Sequence, residues 1–211
     1  MPHIRSKFEV NREAPRLGIP LTVIGPTHFF DNIGKFLQVY QGLVVGMVSG
    51  DAKVPYVACR DIGKMALVAA QMGPPRLDEK RFLPVWTDFA TGEELVAALA
   101  KVRGKGEHFD YSVHPEWLVR FFAPEVYMMR KGFERVGRPP VSLDPKTVEM
   151  MNETRALLKN DYWSLEQYLI EAGWDKKDLP PAPTPVWKKV LFGGAIVAAV
   201  GAIAYEVLKR M

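Results

Sequence analysis

Lys7, in the run Ser6-Lys7-Phe8-Glu9-Val10, is the first side chain of this 211-residue sequence placed where it could do chemistry. It lies in a helical stretch that must end near Gly18, because glycine suits a helix C-terminus and Pro20 bars continuation. Leu21-Thr22-Val23-Ile24 then reads as a short buried strand, closed by Gly25-Pro26. Phe29, Phe30 and Asn32 follow on a loop or helix start. Residues just past the carboxyl end of a parallel strand are where α/β proteins hold ligands, so Pro26, Phe29, Phe30 and Asn32 are candidate pocket residues. The competing expectation is that two adjacent phenylalanines plug a core. His28, between these residues, reads as a loop histidine.

Other chemistries find little support. His108 and His114 have no Cys, His or carboxylate at ligand spacing, so no metal site is expected. No Gly-x-Ser-x-Gly or Cys-His arrangement suggests a nucleophile. The lone Cys59 excludes an internal disulfide and points to a reducing compartment; its expected role is a small buried hydrophobe at a strand end. A net charge of +4 and a pI near 9.1 are mild. Without a basic stripe interleaved with aromatics, direct nucleic-acid binding is not expected.

These residues must be positioned by alternating helices and strands. A helix is expected over 34–39, a short strand or hairpin over 43–48 and a strand over 54–58. Asp61 is a plausible N-cap for a helix over 62–71, stopped by Gly73-Pro74-Pro75. A strand over 81–86 follows. Thr91 and Glu94 form a capping box for a helix over 93–102, and Gly104 stops it. A further strand is expected over 108–113, then one or two helices over 115–137, and the last soluble helices over 146–158 and 165–172. At 48% hydrophobic content a core can form.

Read together, the Ser-Lys with a Glu two residues on, Gly18-Ile19-Pro20-Leu21-Thr22, Pro26, Phe29 and Asn32 resemble the NmrA-like family, an atypical branch of the short-chain dehydrogenase/reductase fold. Three further segments, in the expected order, resemble it too. They are Val54-Pro55-Tyr56-Val57 leading to Asp61-Ile62-Gly63, Thr91-Gly92-Glu93-Glu94-Leu95, and Trp163-Ser164-Leu165-Glu166. The resemblance covers residues 3–174 and implies the C-terminal half of a Rossmann-like α/β parallel sheet with flanking helices. It implies NADP or NAD as cofactor, with Lys7 near the nicotinamide ribose as the cofactor-binding and catalytic lysine. Pro26, Phe29, Phe30 and Asn32 would line the nicotinamide and substrate side. The tyrosine that the wider superfamily places four residues before this lysine is His3 here, which favours a sensing over a catalytic member. The family's phosphate-binding glycine loop is missing: the sequence holds no G-x-G-x-x-G or G-x-x-G-x-x-G after a strand. On the family's plan the first strands would precede Met1, which a truncated record and a true remnant would explain equally.

The C-terminal end carries a second signal. Pro180, Pro181, Pro183 and Pro185 make a stiff linker, expected over 175–187. Residues 190–205 are 16 consecutive positions without a charge, about 24 Å as a helix. Lys188 and Lys189 flank one end, Lys209 and Arg210 the other, and Trp187 and Tyr205 sit at interfacial positions. A transmembrane helix over 188–210 is expected, anchoring a cytosolic domain over 1–174 to a membrane. The short span with basic flanks resembles tail anchors of the mitochondrial outer membrane. Gly194, Ala198 and Ala202 share one face at four-residue spacing, a possible seam for a homodimer or a protein partner. Two function classes remain: a membrane-anchored NAD(P)-dependent redox sensor or oxidoreductase, and a non-catalytic membrane-tethered interaction module built on the same fold.

Overall fold

The computed structural model describes residues 2–46, 48–76, 79–104, 106–124, 126–128, 130–131 and 145–182. The expected membrane helix lies outside these residues. Among the described residues, no helix is long and apolar enough to cross a membrane. One compact unit runs to Leu179, whose carbonyl accepts a 3.0 Å hydrogen bond from Gln41 Nε2.

The chain opens with helix α1 (Pro2–Arg16), which ends as its glycine and proline dictate, Gly18 taking a φ of +67°. Strand β1 (Leu21–Pro26) follows and pairs in parallel with β6 (Lys80–Val85), from Leu21 opposite Lys80 to Pro26 opposite Val85. Helix α2 (Cys59–Gln71) packs on both strands, and α1 packs on β1. A second sheet joins β2 (His28–Phe29), β5 (Val54–Val57) and β7 (Asp88–Ala90), with β2 and β5 parallel. A third joins β3 (Gln38–Tyr40), β4 (Leu43–Gly46) and β8 (Asp110–Val113), with β4 and β8 parallel. Helices α3 (Gly92–Arg103), α4 (Glu116–Phe122), α5 (Pro145–Leu157) and α6 (Leu165–Glu171) complete an α/β arrangement of parallel strand pairs with flanking helices.

The capping box forms as expected. Thr91 Oγ1 accepts from the Glu94 amide at 3.0 Å, and Glu94 Oε2 accepts from the Thr91 amide at 2.8 Å. Gly104, at φ +100°, stops α3.

Two expectations are corrected. No helix forms over 34–39. A 3-10 turn (Phe30–Asn32) is followed by Gly34 at φ +85° and then by β3, which forms a hairpin with β4. A Cβ on Gly34 would lie 2.8 Å from the Trp174 ring, so tertiary packing holds the chain in this turn. Asp61 does not cap α2, which starts two residues earlier with Ala58 at the N-cap position. The cap comes from a distant residue, since Asp31 Oδ2 accepts from the Cys59 amide at 2.8 Å.

The core has two clusters. Phe30, Val44, Tyr56, Leu95, Tyr168 and Trp174 belong to the larger; Val57, Met65, Leu83, Val85 and Leu158 form the smaller, under α2 and β6. Thr154, buried on α5, donates from Oγ1 to the Pro84 carbonyl at 2.6 Å and ties α5 to the end of β6.

Candidate functional site

The carboxyl ends of two parallel pairs, β1/β6 and β2/β5, and the start of α2 border the segment where a ligand site was expected. Pro26 is the exposed last residue of β1. Phe29 is half-buried on β2, opposite Val57, and packs on the smaller cluster. Phe30 has no exposed surface. Its ring stacks between Tyr56 and Tyr168, both centroids 5.3 Å away, so it is a core residue in this structure. Asn32 closes the following turn, its carbonyl accepting from the Lys35 and Leu37 amides at 3.0 and 3.1 Å. Lys7 is exposed on α1, and the structure joins it to none of these groups by a hydrogen bond or ion pair.

What the structure adds lies one residue beyond the strand ends. Thr27 follows β1 and Trp86 follows β6, so the two continue the register that pairs Pro26 with Val85. Thr27 Oγ1 and Trp86 Nε1 are both buried and both without a hydrogen-bond partner. An unpaired buried donor costs roughly 1–3 kcal/mol, and such groups persist chiefly where something else uses them. Both can donate, so the complementary group is a neutral oxygen such as a carbonyl. His28 stands beside them, its ring 5.7 Å from that of Tyr56, and burial pushes its pKa down to about 4. It is therefore a neutral imidazole at pH 7.

Around this edge most polar groups are tied down, although Asp61 Oδ1 has no hydrogen-bond partner. Asp61 is fully buried: Oδ2 accepts from the Trp163 amide at 3.0 Å, and Arg60 stands 3.5 Å from Oδ1. Burial raises its pKa, against the Trp163 hydrogen bond and Arg60, which lower it. Thr87 donates to the Trp163 carbonyl at 3.1 Å, and Arg155 donates twice to the Thr87 carbonyl at 3.1 and 2.7 Å. Cys59 is exposed at the first position of α2, not buried as expected. Its thiol is held above the usual range by burial and by Asp31, so the thiolate that a nucleophile requires is disfavoured. Among the described residues, no three His, Cys, Asp or Glu side chains converge as metal ligands would.

A cavity of about 610 Å³ lies along β8 and past the end of β4, lined by Ser49, Gly50, Glu93, Tyr111, Ser112 and Arg130 among others. The buried Arg130 donates to the His114 carbonyl at 2.8 Å. The Tyr111 hydroxyl donates to the Val48 carbonyl at 3.0 Å. Its ring is seated against glycines: a Cβ on Gly46 would lie 1.8 Å from its hydroxyl oxygen.

Thr27 and Trp86 were missed because Trp86 reads as the last residue of a strand and Thr27 as a turn. The usable signal was position, one residue past two hydrophobic runs. Thr27→Val removes one orphan donor and keeps the shape of the side chain. Urea denaturation is expected to show the variant at least as stable as the parent, by up to about 1 kcal/mol. A loss of more than that would mean the hydroxyl is satisfied in the folded protein.

No protein-family model and no curated protein matches the sequence. Solved structures do. NmrA, a negative transcriptional regulator, in complex with NADP superposes with a TM-score of 0.57 at 17% identity, covering 82% of this chain and 60% of NmrA. NmrA in complex with NAD gives 0.54 at 17% identity over the same shares. A nucleoside-diphosphate-sugar epimerase from Staphylococcus aureus gives 0.50 at 15% identity, covering 76% of this chain and 56% of the epimerase. The chain thus spans about 60% of the length of the NmrA structures it matches. At this identity the likeness establishes the fold: the chain has the Rossmann-type α/β fold of NmrA and the sugar epimerase over most of its described length.

Proposed function

We propose that this chain is the substrate-side portion of an NmrA-like NAD(P)-dependent redox sensor or oxidoreductase, carried on a membrane by residues 188–210. The observation that supports this most is the superposition on NmrA solved with NADP and with NAD. The orphan donors Thr27 Oγ1 and Trp86 Nε1, at the carboxyl edge of the β1/β6 pair, suit an uncharged oxygen, whether of a carboxamide or of a carbonyl substrate. They do not fit the dinucleotide's phosphates. A cradle of backbone amides on glycines is what phosphates require, and this sequence has none after a strand.

The test uses the endogenous protein, extracted from its membranes in detergent and purified through its C-terminal half. NADP(H) released on denaturation, at more than about half an equivalent, supports the reading. Its absence would leave the non-catalytic interaction module, which the missing glycine loop favours. The 211-residue chain alone is expected to bind NADPH more weakly than about 100 μM, because the phosphate contacts that dominate affinity are absent. Micromolar binding by calorimetry would overturn that.

Membrane attachment rests on the uncharged run and its basic flanks. Deleting residues 186–211 is expected to move the protein from the carbonate-resistant pellet to the supernatant. Persistence in the pellet would count against the anchor.

A further inference from the structure

The third sheet carries a cavity that the proposed nicotinamide site does not use. β4 and β8 run in parallel and end together, Gly46 opposite Val113. The crevice outside the carboxyl ends of parallel strands is where α/β folds bind ligands. The cavity of about 610 Å³ reaches that crevice, with Ser49 and Gly50 past the end of β4 and Glu116 and Arg130 past the end of β8. A space of that size takes a small organic molecule.

One wall is a fixed aromatic ring. A Cβ on Gly46 or Gly92 would overlap Tyr111, and one on Gly50 would crowd its ring at 3.0 Å. Three glycines from three segments therefore seat this side chain, and its hydroxyl is anchored on the Val48 carbonyl at 3.0 Å. A ring held this way offers a rigid stacking surface to a second ring. Phe109 continues the apolar lining.

Charge is arranged in two zones. Arg130 is 8% exposed, and among the described residues it is the one buried basic side chain. Its Nη1 donates to the His114 carbonyl at 2.8 Å, which fixes the plane of the guanidinium in the lining. A planar guanidinium matches a carboxylate. Glu93, Asp110 and Glu116 line the same space, and all three are exposed. Carboxylates on the rim penalise a second negative charge on whatever enters.

We propose that this cavity binds a small aromatic monocarboxylate, with its ring against Tyr111 and its carboxylate at Arg130. The site belongs to a different sheet from the β1/β6 edge and stands independently of the nicotinamide reading.

Saturation-transfer NMR on the full chain in detergent, with empty micelles subtracted, tests this using phenylacetate, phenylacetamide and isophthalate as probes. Phenylacetate is expected to bind saturably with a Kd below about 1 mM. The neutral amide and the dianion are expected to bind at least tenfold more weakly, on the order of one charge-assisted contact. Arg130→Gln should weaken phenylacetate by about the same factor and leave phenylacetamide unchanged. Ser112→Leu, at an exposed position of β8 in the lining, should weaken acid and amide alike without moving the melting temperature. Glu93→Gln should improve isophthalate several-fold. Where Arg130→Gln lowers the melting temperature, the Ser112 and Glu93 variants decide. Equal affinity for acid and amide, no saturable binding, or unchanged phenylacetate affinity in Ser112→Leu overturns the proposal.

Discussion

Trp174→Ala is expected to destabilise the domain by about 3–5 kcal/mol, the cost of emptying a large aromatic site that the surroundings only partly refill. Trp174 is 2% exposed and belongs to the same cluster as Phe30, Leu169 and Tyr168. Three different parts of the chain converge on it. Its ring closes over Gly34, its carbonyl accepts from Arg103 at 2.9 Å, and Lys177 stands 4.2 Å from the ring centroid. A loss of this size is a large share of a typical domain's total stability, so the variant is expected to be partly unfolded near body temperature. Gly34→Ala tests the same contact from the other side, adding both a positive-φ penalty and a Cβ 2.8 Å from the indole. Urea denaturation checks both. A Trp174→Ala cost below about 1 kcal/mol would mean the turn and α6 do not pack as described.

Acid is expected to unfold this domain early, and His28 is the reason. Its pKa is pushed from 6.5 down to about 4 by burial, so the unfolded chain takes up a proton at a pH where the folded one does not. The stability this contributes is complete above about pH 6.5 and is lost progressively as pH falls from there to about 4, on the order of 3 kcal/mol in all. Asp61 acts in the opposite sense. Its carboxyl pKa is raised by burial above 3.8, so its contribution is present below that value and is lost as pH rises through the folded pKa. Asp61 therefore offsets part of the His28 effect on the acid side. His28→Gln is expected to flatten the fall in stability between pH 6.5 and 4.5, and Asp61→Asn to steepen the fall on the acid side. Denaturation midpoints for the three proteins at pH 7, 5.5 and 4.5 check this; an unchanged acid slope in His28→Gln would mean that the imidazole is protonated in the folded protein.

The elements that sequence reading located well are those whose ends are set locally. Gly18, Gly73 and Gly104 each stop a helix at positive φ, and Thr91 with Glu94 opens one. A cap is an interaction between residues three positions apart, so its energy is visible in a short window. The apolar runs at β1 and β5 were legible as strands for a similar reason, since consecutive apolar residues mark a strand locally, although β1 is only half-buried. The helix expected over 34–39 failed because its backbone is held by Trp174, some 140 positions away. The cap of α2 failed likewise, because it comes from Asp31 rather than from the adjoining sequence.

The candidate site divides along the same line. Sequence alone determined that Pro26, Phe29, Phe30 and Asn32 follow the carboxyl end of β1, that Lys7 stands on the helix before it, and that no G-x-G-x-x-G or G-x-x-G-x-x-G follows a strand in this sequence. Those statements rest on residue type and order. Only the tertiary structure decided that Phe30 is enclosed by Tyr56 and Tyr168, that Cys59 faces solvent, and that Thr27 and Trp86 hold orphan donors at adjacent strand ends. Burial and hydrogen-bond satisfaction belong to contacts between residues far apart in sequence, and no local window contains both members of such a pair.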